Sequence, residues 1–406
     1  MRYLGIDWAS DHHDIAVVNE AGEKLSAFRI GNDTAGLETF RDRVRALGVP
    51  KSEILISIET SRLLLVDFLL NEGFTVYPIN PKAIDRYRDR YTASYAKSDA
   101  FDAELIAHAL RTDRERFRAL EPDSPLLREL RILVRDQKRL IWAQSRFLNQ
   151  LGACLREYYP AALNLFGDLA SPVALQFLKR YPRPEPLSAK KLEKFLRQCR
   201  HPRPEAKAQE IAQQLSQPQF FAEPFTVRAR SRMMLTLVDH LLSLRAQIAE
   251  YQEAIDDLFA QHPDSGIFKS LPGSGEKTGP RLLSEIGDNR SRYSSADSLQ
   301  CEAGTCPITR SSGKVRVVMM RQACRKSFRD AMHMFSFCSL TKSSWARALY
   351  DQQRAKGKNA HAALRAVSDK WLKIIHHLWK EKELYDENIY LAHRMRHQMK
   401  EAASAA

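Results

Sequence analysis

Four acidic residues and one serine are the side chains of this chain best suited to phosphoryl chemistry. Asp7 closes the apolar run Tyr3-Leu4-Gly5-Ile6, and Glu59 closes another in Ile56-Ser57-Ile58-Glu59-Thr60. Asp99 and Asp102 stand three residues apart, so on a helix they share a face. Carboxylates brought together repel one another and invite a hard divalent cation. Mg2+ suits oxygen ligands, and Mn2+ accepts the same kind of set. Two such ions can activate an attacking oxygen and stabilise a leaving one. Each acid alone has a plainer use: Asp7 as a strand-end residue, Asp99 and Asp102 as first-turn acids favoured by the helix dipole. The ordered set of four is what points to a metal site.

The serine lies in Ile308-Thr309-Arg310-Ser311-Ser312-Gly313-Lys314, after Ala303-Gly304-Thr305-Cys306-Pro307. Glycine beside serine predicts a flexible loop with an exposed hydroxyl, surrounded by the charges of Arg310, Lys314 and Arg316. A serine can attack phosphorus if its proton is accepted and the phosphate charge is neutralised. No fixed His-Asp partner is visible for it, and exposed Ser-Ser-Gly is commonly only a loop. Lys314 to Arg329, which includes Arg321, holds six basic residues and no acidic one. That run suits phosphate contact, with a solvated helix face as the plainer reading. Leu271-Pro272-Gly273-Ser274-Gly275-Glu276-Lys277-Thr278 leads into an apolar helical stretch. It resembles a helix-hairpin-helix element, with Gly273, Gly275 and Lys277 placed to meet a phosphate backbone. It misses the G-x4-G-K-[ST] spacing of a Walker loop.

The elements that must position these residues follow from hydrophobic pattern. Tyr3 to Ile6, Asp14 to Val18 and Lys24 to Ile30 read as strands of a meander, with a turn at Ala21-Gly22-Glu23. Asn32-Asp33-Thr34 caps a helix through Leu47. Ile54 to Ile58 reads as a buried parallel strand. A helix through Leu70, a strand from Phe74 to Ile79 and a helix from Asp99 to Leu110 follow. Three strands, helix, strand, helix, strand, helix is the order of the ribonuclease-H-like fold, in which Asp7 and Glu59 emerge at one sheet edge. The fold class is thus α/β plus α. Residues 1-120 form the carboxylate domain, 121-262 a helical or coiled-coil region with an insert, 263-385 a mostly helical basic domain with the serine, and 386-406 a frayed tail. In the helical region, Leu126 to Leu155 and Met233 to Phe259 carry amphipathic patterns. Prolines 182, 184, 186, 202 and 204 break up the insert, where Ser188 is placed to cap a short helix. Helical patterns also start at Ser327 and Ala360.

Of 406 residues, 63 are Lys or Arg and 49 Asp or Glu, a formal net charge of +14 that favours an acidic polymer. No apolar stretch is long enough for a membrane span, and the strand pattern at Met1-Arg2-Tyr3-Leu4 leaves no room for a secretory leader. The 6 cysteines form no C-x2-C pair, which argues against a zinc site; they read as reduced, mostly buried cytosolic thiols. His12-His13 and His376-His377 read as surface histidines.

Taken in order, the motifs resemble the IS110 family of bacterial insertion-sequence transposases, related to the pilin-gene invertases. The matching segments are Tyr3-Leu4-Gly5-Ile6-Asp7, Ile58-Glu59-Thr60, Ile79-Asn80-Pro81, Lys97-Ser98-Asp99-Ala100-Phe101-Asp102-Ala103, Leu271-Pro272-Gly273-Ser274-Gly275, and Ala303-Gly304 through Ser312-Gly313. The resemblance implies a RuvC-like domain with its D-E-D-D set on Asp7, Glu59, Asp99 and Asp102. It also implies a coiled-coil region for assembly and a transposase domain whose nucleophile is Ser312, with Ser311 as the alternative. It implies a dimer or tetramer in which one protomer's carboxylates meet another's serine. A structured bridge RNA would pair with donor and target DNA, as in other guided systems. A cytoplasmic, nucleoid-associated recombinase is the expectation. The rivals are a RuvC-type junction nuclease that uses water, and a non-enzymatic nucleic-acid-binding protein. This chain departs from the family at Trp8-Ala9-Ser10-Asp11, where a lysine is frequent. It departs again at Cys324, where a glycine is common, and in the longer segment from about 160 to 230.

Overall fold

In the computed structural model, residues 1–60, 64–91, 98–218, 222–313, 315–389 and 391–392 are described. Lys97, Lys314 and most of the expected tail lie outside them. The chain divides into two compact units, Met1–Pro122 and Asp123–Ala406.

The first unit begins with strands β1 (Arg2–Trp8), β2 (His12–Asn19) and β3 (Lys24–Gly31), joined as an antiparallel meander. Helix α1 (Thr34–Arg45) is capped by Asp33, which accepts from the Gly36 N–H at 2.7 Å. Strand β4 (Ile54–Ile58), helix α2 (Leu64–Asn71), strand β5 (Thr75–Pro78), helix α3 (Pro81–Tyr91) and helix α4 (Asp99–Asp113) complete it. The sheet runs β3-β2-β1-β4-β5, with β4 parallel to both β1 and β5. This is the succession read from the pattern, with α3 added. Pro81 opens α3, where a missing N–H costs nothing, and Asn80 accepts from the Lys82 N–H at 2.9 Å. One sheet face packs Leu4, Ile6 and Ile56 against Phe40 and Leu69, and the other packs Tyr3 and Leu55 against Leu105 and Ile106. Every residue of β4 is buried. Its one hydroxyl, on Ser57, bonds the Ile106 carbonyl at 2.9 Å and so ties the strand to α4.

Two long helices organise the second unit, α5 (Pro125–Tyr158) and α9 (Pro224–Gln261). Between them lie α6 (Pro172–Arg180), α7 (Ala189–Gln198) and α8 (Pro204–Ser216). After them come α10 (Ser265–Ser270), α11 (Gly275–Ile286) and α12 (Ala296–Ala303). Strands β6 (Ile308–Ser312) and β7 (Val315–Met319) form a hairpin, and α13 (Lys326–Ser339), α14 (Ser344–Ala355) and α15 (Ala360–Glu381) close the unit. Two hydrophobic cores sit along the long pair. Leu130 and Phe259 join the C-terminal helices around Trp371 and Trp379, whereas Leu155 and Val238 join α6, α7 and α8 around Phe177 and Phe195.

Some local expectations are corrected. Ser188 stands at the start of α7 but makes no capping bond with its side chain. Of the cysteines, Cys154 is buried and the other five are half-buried, because they lie on the margins of amphipathic helices and loops rather than on core faces. His13 is a core residue, 1% exposed, because strand alternation turns it to the face opposite His12; burial holds its imidazole below the usual range. His376 is half-buried against the Tyr293 carbonyl, while His377 is exposed. Among the described residues no helix is long and apolar enough to cross a membrane.

Candidate functional site

The acidic residues of the first unit stand on several elements around the end of β1: Asp7 on β1, Asp14 on β2, and Asp99 and Asp102 on α4. Side chains alternate along a strand, so Tyr3, Gly5 and Asp7 share the face on which α4 lies. Gly5 makes the close approach: a Cβ there would lie 2.0 Å from the Ala103 carbonyl oxygen and 2.4 Å from the Ala107 nitrogen. With α4 seated flush on β1, its first turn projects over the strand end. Ser98 caps that turn, accepting from the Phe101 N–H at 3.3 Å.

Register supplies the rest. Ile6 pairs with Ile58 in the parallel ladder, so Asp7 and Glu59 follow at the carboxyl ends of neighbouring strands. Asp7 pairs with Asp14 in the antiparallel ladder, which places both on one face. Asp102 is 3% exposed and accepts from Arg88 Nε at 3.2 Å and Nη2 at 2.8 Å, both on Oδ1. Asp14 is held by Arg29 through a two-pronged contact of 3.1 and 2.8 Å. These arginines offset the repulsion that the clustered carboxylates would otherwise suffer.

Ligand-capable atoms of His12, Asp14 and Asp99 all lie within 4.8 Å of one another, the one such group of three among the described residues. Of the four acids read from sequence, then, Asp99 enters this group. Asp102 is on the next turn of the same helix with Arg88, and Asp102, Asp7 and Glu59 are in no such group among the described residues. His12 has the environment of a metal ligand. Its Nδ1 lies 3.0 Å from Asp11 Oδ1, and its Nε2 faces Asp14 Oδ2 at 3.7 Å and Asp99 Oδ2 at 3.9 Å. That Nε2 is shielded from solvent and has no hydrogen-bond partner. A proton on Nδ1 toward Asp11 leaves a lone pair on Nε2 aimed at two carboxylates, an arrangement that a cation completes. The donor set therefore fits a divalent ion with one imidazole and several oxygens. Asp11, His12 and Asp14 were missed as site residues. The signal for Asp14 was available, since a short hairpin centred near Ser10 pairs it with Asp7.

The serine sits on the β6–β7 hairpin, not in a loop. Gly313 opens the connection with φ +54°, as tight hairpin turns require. Ser312 pairs with Val315 and Ser311 with Arg316, so alternation puts Ser312, Arg310 and Val317 on one face, and Ser311, Arg316 and Thr309 on the other. Both serines are exposed, and neither Arg310 nor Arg316 forms an ion pair among the described residues. Val315 and Val318 are exposed by 63% and 62%. Arg321 is half-buried, and its Nε is shielded without a hydrogen-bond partner. Arg325 anchors the return of the hairpin. It bonds Tyr293 Oη at 3.0 Å and pairs with Glu302 at 2.5 Å. Cys324 packs against Gly304, whose left-handed backbone ends α12.

The glycine-rich segment is the turn between α10 and α11. Gly273 has φ +82°, and a Cβ on it would lie 2.7 Å from the backbone of Cys338. Packing against α13 therefore accounts for this glycine. Gly275 and Lys277 are exposed at the start of α11.

An α/β unit followed by a helical one carries, in comparison with known proteins, the mark of a transposase. Residues 4–160 match the family model of the IS110 DEDD transposase, and residues 265–351 match that of the transposase IS116/IS110/IS902 family. The chain is 35% identical over 394 residues to the "Mini-circle putative transposase for IS117" of Streptomyces coelicolor, covering 95% of each. It is 26% identical over 395 residues to the insertion element IS110 uncharacterized 43.6 kDa protein of the same organism, covering 95% of this chain and 96% of that one. It is 25% identical over 391 residues to the insertion element IS900 uncharacterized 42 kDa protein of Mycobacterium paratuberculosis, covering 94% and 96%. The chain belongs to the IS110/IS116 family of insertion-sequence transposases.

Proposed function

We propose that this transposase breaks and rejoins DNA through Ser312, with the acidic edge of the first unit holding a divalent cation. The Ser312 oxygen attacks a backbone phosphorus, its proton passes to a nearby acceptor, and the displaced sugar oxygen leaves as a hydroxyl. The new serine–phosphate ester keeps the phosphodiester's bond energy, so attack by a second strand's hydroxyl rejoins the DNA and frees the serine. Arg310 shares the face of Ser312 and offsets the charge that develops on the phosphate. Arg316, Arg321 and Lys314, with Gly275 and Lys277 of the first turn of α11, hold the backbone on either side. Mg2+ or Mn2+ bound among Asp7, Glu59, Asp99 and Asp102, joined by His12 and Asp14, would supply charge neutralisation at the scissile phosphate.

The observation that carries the metal part of this reading is the solvent-shielded Nε2 of His12, without a hydrogen-bond partner, against the carboxylates of Asp14 and Asp99. In the same reading residues 1–120 are the carboxylate domain, 121–262 an assembly region and 263–385 the serine domain. The chain works as a dimer or tetramer in which one copy's carboxylates act with another's serine. A structured guide RNA chooses the donor and target DNA by base pairing, so the protein needs to recognise only backbone and shape.

The test is a denaturing gel of the protein with Mg2+, junction DNA and RNA transcribed from the gene's flank. A protein–DNA adduct that is lost in Ser312→Ala and kept in Ser311→Ala supports the mechanism. Cleavage without an adduct in the unmodified protein would instead assign the attack to water.

A further inference from the structure

The helices between α5 and α9 carry charge that strand transfer does not use. From Lys179 to Lys207, lysine and arginine heavily outnumber acidic residues. Two adjoining surface depressions meet here at Gln198. Lys190, Lys194 and Arg197 line one of them, beside Glu193, and Lys179 and Arg180 line the other. Helix α7 makes this possible. Leu192, Phe195 and Leu196 bury one of its faces, so Lys190, Lys194 and Arg197 fall together on the solvent side.

Not all of this charge is neutralised locally. Arg197 pairs with Glu193 and Glu205, and Lys179 with Asp239. Among the described residues Lys190, Lys194 and Arg180 have no acidic partner. Arg180 instead rests near the rings of Tyr181 and Phe195, at 5.9 and 6.0 Å, and donates to Gln198 Oε1 at 2.9 Å. A guanidinium is thus fixed at the junction of the two depressions without a carboxylate against it, in the geometry that receives a phosphate.

Position adds an independent constraint. Along α5, Leu130 belongs to the C-terminal core and Cys154 to the core of the insert; along α9, Phe259 and Val238 divide the same way. At about 1.5 Å of rise per residue these pairs are about 32–36 Å apart along their helices. That distance is about one turn of B-form duplex. The serine hairpin runs from α12 to α13, at the C-terminal core, and the basic groove lies on the other.

We propose that this groove is a second grip on the DNA duplex, holding its phosphates about ten base pairs from the place where the serine hairpin works. The proposal does not depend on Ser312 chemistry, since it concerns binding by the intact chain. The test is binding of duplex DNA several turns long to the full-length protein and to Lys190→Glu/Lys194→Glu, across a range of salt. We expect the variant to bind about tenfold more weakly, with a salt slope shallower by about two. Its hydroxyl-radical footprint should lose protection about one turn from the main protected region. A melting curve on both proteins separates this from misfolding, and Lys190→Gln/Lys194→Gln should give a smaller loss in the same direction. Unchanged affinity and salt slope would overturn the proposal. So would a loss confined to duplex RNA, or an unmodified protein that does not bind duplex DNA.

Discussion

Asp7 and Asp14 stand directly opposite one another across the β1–β2 hairpin. Like charges in that relation are destabilising unless something offsets them. Arg29 lies against Asp14, and the Nε2 of His12 approaches both Asp14 and Asp99. His12 therefore bridges Asp14 to the first turn of α4.

An imidazole among carboxylates shifts metal preference toward Mn2+ over Mg2+. Mn2+ should raise the melting temperature more than Mg2+ at equal concentration, and His12→Ala should erase the difference. Asp11→Asn, which removes the carboxylate behind Nδ1, should weaken Mn2+ binding by roughly 10- to 100-fold. Unaltered Mn2+ binding in His12→Ala would remove His12 from the ligand set.

Gly5 controls how closely α4 approaches β1. Gly5→Ala must push the helix away from the Ala103 and Ala107 backbone contacts, at a cost of about 2–3 kcal/mol. Chemical denaturation measures that cost, and metal titration should show weaker binding as Asp99 moves with the helix. Stability and binding both at the unmodified level would mean that the interface yields without strain.

The hairpin register offers a way to separate the two serines. Arg310 is on the face of Ser312, and Arg316 is directly opposite Ser311. If Ser312 attacks, Arg310→Ala should slow adduct formation by about 100-fold or more and Arg316→Ala by much less. The reverse order would assign the attack to Ser311.

Asp123 gives the second unit a pH-dependent brace. Its side chain is fully buried, 2.5 Å from Arg131 and 3.1 Å from Arg292. Burial alone would raise its pKa, but the two guanidiniums and their hydrogen bonds outweigh burial and hold it below the usual carboxylate range. A carboxylate with a depressed folded pKa contributes stability that is present above its unfolded value and lost as pH falls through the folded one. Asp123→Asn should cost about 3 kcal/mol near neutrality, and the gap to the unmodified protein should close below about pH 4. A gap that persists in acid would show that packing, not charge, sets the cost.

Much of the local structure was legible. The strand from Asp14 to Val18, the apolar run Ile54 to Ile58 and the cap at Asp33 each act within a few residues, so composition and spacing reveal them. Helix α3 escaped notice because Lys82 to Arg90 is largely polar, and Asn80-Pro81 resembles a loop as readily as a helix start. The serine segment read as a loop because the strand partner of Ser312 follows only after Gly313 and Lys314, and its valines face solvent on both sides.

By itself the sequence determined the order of elements of the first unit, the +14 charge, and the one-face placement of Asp99 and Asp102 through helical periodicity. The tertiary structure alone decided which of those acids meet. His12 and Asp14 reach Asp99 across more than eighty residues because an antiparallel register and a helix seated on Gly5 bring them there. No local propensity encodes that approach, since it depends on packing between segments far apart in the chain. The same is true of Arg180 at the mouth of the basic groove, where Phe195 and Gln198 on a different helix fix its position.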